Sequence, residues 1–246
     1  MIAATRLGGS GERLLVVGPS LGTSVEALWE RTAALLGDVE VIGWDLPGHG
    51  RSPAATAPFT VADLAGAVAE QGSRAGGRPV WYAGVSIGGA VGFQLAARPT
   101  PFAGVVAIAA APRIGTAGAW HERAALVRRS GTAALVPGAA GRWFAPGFAG
   151  REPAVAASLL RGLAGVDAES YALACEALAA FDLRGGAAVV PLAVLPGEFD
   201  VVVPPSAVAA LHPAVLAGCG HLPPVERPAE TAAAIRRAMR LDGGTT

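Results

Sequence analysis

The chain has 246 residues, enough for one domain, or one domain carrying an inserted segment, to bury a core without metal or disulfide staples. Lys+Arg and Asp+Glu number 19 each, for a net charge of +0, so no basic or acidic surplus points to nucleic acid or to an anionic membrane surface. Charged residues are 15% and hydrophobic residues 52%, which excludes a disordered chain, and the lack of any Lys excludes Schiff-base chemistry, pyridoxal-phosphate anchoring and a Walker-type phosphate loop.

No basic start followed by a long apolar run opens the chain, so no leader is expected. Residues 13–17 read as a strand, 25–36 as a helix and 39–44 as a second strand. A loop with Pro47, Gly48, Gly50 and Pro53 follows. Thr60 with Asp63 three residues on has the form of a capping box and predicts a helix over 61–71. Residues 80–84 then read as a strand, 87–98 as a helix and 104–110 as another strand. The stretch 80–97 runs 18 residues without a charge, close to the length of a membrane span. It holds Gly84, Ser86, Gly88, Gly89, Gly92 and Gln94, however, and lies between Arg78-Pro79 and Arg98-Pro99, so a buried strand feeding a tightly packed helix is the better reading.

From residue 116 to 183 the rhythm changes to helical patterns, clearest over 121–129, 154–163 and 170–181, with no strand among them. Alternation returns with a strand over 189–195, a short helix over 206–211, a strand over 214–216 and a helix over 229–240 opened by Pro228. The residues from Asp242 on read as a frayed tail. Apolar strands separated by helices predict an α/β fold, a mostly parallel twisted sheet with helices on both faces. A helical segment is inserted after the sixth strand. The division is a core of residues 1–115 and 184–246 and a helical lid of residues 116–183.

Gly84-Val85-Ser86-Ile87-Gly88 fits G-x-S-x-G, in the strand-to-helix context that a nucleophile elbow requires. A serine on so sharp a turn needs small neighbours, and the Ile87 amide opening the helix would serve as an oxyanion donor. The hydroxyl needs a base, and there are four histidines. His49 lies in a turn-shaping loop, His121 in the helical segment, and His212 at the end of a short helix. His221 follows Gly218-Cys219-Gly220 just after the last expected strand, on the carboxyl edge of the sheet where ligands bind in open α/β folds. His221 is therefore the candidate base, with Cys219 read as a small buried residue. Asp200, after the strand 189–195, is the orienting carboxylate, and Glu198 is its competitor. The order Ser86…Asp200…His221 is the one expected when the elbow is real. Asp45 is expected to hold the 45–52 loop by local hydrogen bonds or by pairing with Arg51. A second oxyanion donor is expected from the glycine-bearing loop 18–24, with the Leu21 amide as the candidate. Two cysteines, Cys175 and Cys219, without CxxC, fit a reducing cytoplasm.

Taken together these residues resemble the α/β-hydrolase superfamily and, within it, the 3-oxoadipate enol-lactonases. Residues 18–24, 45–52, 84–89, 197–205 and 221–228 carry the superfamily likeness. The stretches Arg113-Ile114-Gly115-Thr116, Trp120-His121-Glu122-Arg123, Gly141-Arg142-Trp143-Phe144 and Phe181-Asp182-Leu183-Arg184 resemble the lid of enol-lactonases. Pro19-Ser20 stands where the superfamily usually has His-Gly, and Glu198-Phe199 is an unusual filling before Asp200. The resemblance implies a carboxylic ester hydrolase of aromatic-compound catabolism that opens an anionic small-molecule lactone, with no metal or other cofactor and with neither nucleic acid nor membrane as partner. It also implies a cation for the substrate carboxylate. With no Lys, that cation is Arg142, with Trp143 and Trp120 shaping the pocket and Arg113 and Arg123 as rivals. A carboxylesterase, a carbon–carbon bond hydrolase or a perhydrolase would share the same triad, and a non-catalytic ligand receptor on this fold is a further alternative.

Overall fold

The computed structural model of the protein describes residues 2–240. The tail from Asp242 and the last residues of the expected core range lie outside the described residues.

Six strands, β1 (Ala4–Gly8), β2 (Leu14–Gly18), β3 (Glu40–Trp44), β4 (Val80–Val85), β5 (Gly104–Ile108) and β6 (Leu192–Leu195), form one sheet in the order β1-β3-β2-β4-β5-β6. β1 pairs antiparallel with β3, and every other neighbouring pair is parallel. The central strands are buried on both faces, which is why β2 reads Leu-Leu-Val-Val and β5 Gly-Val-Val-Ala-Ile without a polar alternate. Helices α1 (Val25–Ala33), α2 (Val61–Ser73) and α3 (Ile87–Ala96) connect the strands of the first half. The Thr60–Asp63 capping box is present at the start of α2, with both reciprocal bonds made. Gly92 lets α3 lie close against the sheet, since a Cβ there would come within 3.0 Å of Val105 Cγ1.

Between β5 and β6 come α4 (Ala117–Ser130), α5 (Val136–Trp143), α6 (Phe148–Arg151), α7 (Pro153–Ala164) and α8 (Ala168–Ala180), with no strand among them. α4 packs along α8, and Arg128 of α4 spans Glu169 at 2.6 Å and Glu176 of α8. After β6 the chain makes a 3₁₀ turn (Pro205–Leu211), α9 (Pro223–Glu226) and α10 (Pro228–Ala238). Among the described residues no helix is long and apolar enough to cross a membrane, and the uncharged stretch 80–97 is β4 followed by α3.

Two expectations need correction, and one strand is unexpected. Six strands are expected ahead of the helical segment and five are found. Ahead of β2 the chain contributes only β1, and Gly8, Gly9 and Gly11, all at positive φ, turn it directly into β2. β1 itself is not foreseen, because Ala-Thr-Arg-Leu-Gly on an exposed edge carries no apolar run. The strand expected over 214–216 is a single bridge, Gly197 to Leu216. Ala214 donates to Val194 and Leu216 to Pro196, but Pro196 has no N–H to return, so the ladder cannot continue there.

Asp45, at the end of β3, ties the first half together. Its Oδ1 accepts the Val25 N–H at the start of α1 at 2.7 Å, and its Oδ2 accepts the Arg51 N–H at 2.9 Å. The Arg51 guanidinium itself meets Glu26 at 3.1 Å. Gly50 has to be glycine, because a Cβ there would fall 2.3 Å from the Asp45 carboxylate. Asp45→Ala leaves two N–H groups without their acceptor and is expected to lower unfolding stability by about 2–3 kcal/mol, as read by urea denaturation at neutral pH; a loss within experimental error would show that the carboxylate carries no such load.

Candidate active site

β2 and β4 are neighbours whose connections leave in opposite directions, one toward β3 and one toward β5. The crevice at their carboxyl ends is where this class of sheet binds ligands. Two turns meet there.

The first is the turn from β4 into α3. Ser86 sits on it at φ 56°, ψ −114°, a conformation that a residue with a side chain seldom adopts. Its N–H is anchored to the Ile108 carbonyl at 2.9 Å. A Cβ on Gly84 would lie 2.3 Å from the Gly88 carbonyl oxygen, and one on Gly88 would lie 2.6 Å from the Pro19 carbonyl oxygen. A Cβ on Gly89 would meet Ala110 at 2.3 Å. The glycines of the motif are therefore a packing requirement of the turn. The Tyr82 hydroxyl, buried beneath it, donates to Gly88 O at 2.8 Å.

The second turn is the loop 18–24. Gly88 N–H donates to Pro19 O at 3.0 Å, which fixes this loop against the start of α3. Thr23 Oγ1 bonds both the N–H and the carbonyl of Ser20, and the Trp29 indole donates to Gly18 O at 2.9 Å. Ile87 opens α3, so its N–H has no partner within the helix. Among the described residues neither the Ile87 nor the Leu21 N–H donates to a protein acceptor. Pro19-Ser20, in place of the usual His-Gly, thus supports a loop held by Thr23.

Past β6, Asp200 and His221 lie side by side and buried, with His221 Nδ1 2.8 Å from Asp200 Oδ2. The other carboxylate oxygen accepts the N–H groups of Val202 and Val203 at 2.8 and 3.0 Å. An aspartate so held fixes the imidazole with Nδ1 as donor and leaves Nε2 free to accept. Glu198, the competing carboxylate, instead accepts the Gly218 N–H at 2.8 Å. Cys219 is fully buried, and burial pushes its thiol up to about 12, so it is no nucleophile.

The helical segment stands over these turns. A cavity of about 290 Å³ is lined by Ile114, Trp120, Arg123, Arg142, Val201 and Val202, the last two adjoining Asp200. A second, of about 190 Å³, shares Arg123 and Arg142 and adds Trp143, Leu163 and Tyr171. Gly22 of the 18–24 loop reaches the second, since a Cβ on it would come within 2.7 Å of Leu163 and 3.2 Å of Trp143. The Arg123 guanidinium lies 5.5 Å from the Trp120 ring. The Arg142 guanidinium makes no ion pair among the described residues, whereas Arg113 is paired with Asp182 at 3.4 Å. Of the three candidate cations, Arg123 and Arg142 therefore face the cavities, and Arg113 is engaged elsewhere. The described residues hold no group of three or more His, Cys, Asp or Glu able to bind a metal.

Sequence reasoning passed over the role of Glu226, five residues after His221. Its Oε1 accepts the N–H groups of Gly220 and Leu222 at 2.9 and 3.3 Å, and its Oε2 accepts the Ala145 N–H at 2.7 Å. Burial pushes this carboxyl above its ordinary value, with the three N–H bonds pulling the other way. The Ala145 contact lies 81 residues away in sequence, and no local pattern signals it.

The family model described as the Alpha/beta hydrolase family matches residues 14–234. Over 192 residues the chain is 35% identical to 3-oxoadipate enol-lactonase 2 of Acinetobacter baylyi, covering 76% of this chain and 72% of that protein. It is 31% identical to 3-oxoadipate enol-lactonase 1 of the same organism, over 76% of this chain and 71% of that one. The crystal structure of the enol-lactonase from Burkholderia xenovorans LB400 superimposes with a TM-score of 0.89 at 29% identity, covering 97% of this chain and 96% of that one.

His49 is held apart from this chemistry. It is buried, its Nδ1 lies 2.9 Å from Pro47 O, and its ring stacks on Tyr171 at 6.1 Å. Burial lowers its pKa from 6.5 to about 4. The unfolded chain thus takes up a proton near pH 6.5 that the folded chain refuses until about pH 4, so the stability due to this group is complete above pH 6.5 and is lost as pH falls. Between pH 7 and pH 5 the loss is expected to be about 2 kcal/mol, and His49→Gln should remove that part of the pH dependence in parallel urea titrations. An unchanged slope in the variant would place the effect elsewhere.

Proposed function

The chain belongs to the alpha/beta hydrolase family, and on that premise we propose that it is a serine hydrolase opening the ring of 3-oxoadipate enol-lactone to give 3-oxoadipate. The observation that carries the reading is the buried pairing of His221 with Asp200 at 2.8 Å, at the same end of the sheet as Ser86 on its strained turn. The enol-lactonase relatives support the substrate. So do the two guanidinium groups lining the cavities, because the lactone carries a side-chain carboxylate.

In this scheme residues 116–183 are the lid, and residues 1–115 with 184–246 are the core that bears the triad. His221 Nε2 takes the proton of the Ser86 hydroxyl as Oγ attacks the lactone carbonyl carbon. The carbonyl oxygen becomes an oxyanion held by the N–H groups of Leu21 and Ile87. The ring carbon–oxygen bond breaks, and the departing enolate takes the proton from His221 and tautomerises to the ketone. An enolate leaves more readily than an ordinary alkoxide, so the imidazolium has less to do at this step. Water, deprotonated by His221, then attacks the acyl carbon and frees Ser86 and the second carboxylate of the product. Asp200 holds the imidazole in one orientation and stabilises its charged form throughout.

Arg142 clamps the substrate carboxylate, with Trp143 and Trp120 shaping the pocket around it. Protein groups and water supply every step. The same reading places the enzyme in the breakdown of aromatic compounds through the beta-ketoadipate pathway and in the cytoplasm, where Cys175 and Cys219, both free and buried, stay reduced.

Ser86→Ala should fold normally and lower kcat by a factor on the order of 10⁵, measured as loss of enol-lactone ultraviolet absorbance. Retained turnover rules out the acyl-enzyme. Rapid hydrolysis of simple esters by the wild type without enol-lactone loss would instead assign a carboxylesterase. Arg142→Ala should raise KM for the anionic lactone about 10- to 100-fold and leave KM for a neutral ester unchanged. Equal changes for both substrates would remove Arg142 from the carboxylate site.

A further inference from the structure

We infer that Glu226 is a positioning residue that locks the His221 loop to the exit of α5, fixing the base and the pocket wall relative to each other. The inference rests on the hydrolase reading above and deepens it. The two segments meet through backbone atoms. His221 N–H donates to Trp143 O at 2.9 Å, and a Cβ on Gly220 would lie 2.7 Å from Ala145 N and 3.0 Å from Trp143 O. This close seam places three N–H groups, those of Gly220, Leu222 and Ala145, around one side chain. Only a group that accepts on both of its oxygens satisfies all three, and an ionised carboxylate is the one side chain that does so.

Oε1 holds the two residues that flank His221, and Oε2 holds the residue just past Phe144. The carboxylate therefore sets where the imidazole stands beside Asp200. It also sets where Arg142 and Trp143, one turn upstream of Ala145, stand over the crevice.

A carboxamide separates the two duties. In Glu226→Gln one oxygen can face Gly220 and Leu222, and the NH₂ must then face the Ala145 N–H, donor against donor. Two bonds outweigh one, so the His221 loop keeps its anchor and the α5 exit loses its own. Hydrogen–deuterium exchange should accordingly rise at the Ala145 amide in E226Q and stay near wild type at Gly220 and Leu222.

The functional readout is a split. Labelling of Ser86 by a small fluorophosphonate needs the triad and little of the pocket wall, and it should stay within about twofold of wild type in E226Q. KM for the enol-lactone should rise severalfold, because the α5 exit that carries Arg142 and Trp143 loses its anchor while the His221 loop keeps its own. E226A, which frees both segments, should lose labelling and lactone turnover together. Should E226Q fail to fold by thermal melting, E226D is the second variant, since its stem is too short to reach both segments and either labelling or KM must change. An E226Q or E226D protein that melts as wild type and matches it in exchange, labelling and KM overturns the assignment; so does an equal loss of labelling and lactone affinity in E226Q. A wild-type protein that fails to label at Ser86 defeats the hydrolase reading instead, and the two failures are distinguished by that control.

Discussion

A serine can stand at φ 56° between β4 and α3 only because the atoms around it have been cleared away. Gly84, Gly88 and Gly89 each sit where a Cβ would come within 2.6 Å of a neighbouring heavy atom, and two of those neighbours are backbone carbonyls, of Gly88 in α3 and of Pro19 in the 18–24 loop. The strain at Ser86 is held by the Ile108 carbonyl on one side and by the Pro19 carbonyl, through Gly88, on the other. The same bond to Pro19 brings the Leu21 loop beside Ile87. One steric constraint thus sets both the direction of the hydroxyl and the position of the amides beside it.

Much of this was legible in the chain. G-x-S-x-G between an apolar strand and an apolar helix, followed by an aspartate and then a histidine after later strands, is a local pattern repeated in the right order, and the parallel sheet follows from its unbroken apolar runs. What was hidden is non-local or depends on proline. β1 is an edge strand whose partner, β3, supplies the reason for its existence. α5 contains Pro137, Gly138 and Gly141, poor helix formers, and forms because Ala139 and Trp143 are buried on one face. The missing ladder bond at Pro196 removes a strand that the sequence pattern predicts. Glu226 meets Ala145 across 81 residues, a distance that no window along the chain spans.

The charge arrangement follows from composition. A chain without lysine relies on arginine for its permanently charged side chains, and several arginines are engaged in ion pairs such as Arg128 with Glu169 or Arg78 with Glu40. Arg123 and Arg142 both line the two cavities bordered by the helical segment. Arg123 is propped on an indole whose own N–H is taken by Ile114 O at 2.6 Å, which keeps Trp120 upright. Both guanidinium groups present planar forks, a geometry suited to carboxylates.

The bond from His221 N–H to the Trp143 carbonyl uses main-chain atoms at both ends. It is therefore blind to which side chains occupy 142, 143 and 144. Of the three, Arg142 is the one outside the buried core, and replacing it can redraw the polarity of the cavities it lines while the main-chain bond to His221 stays in place. A scaffold wired in this way can exchange the side chain that projects into its cavities on a frame that does not shift, which offers a route for redesigning what those cavities accept.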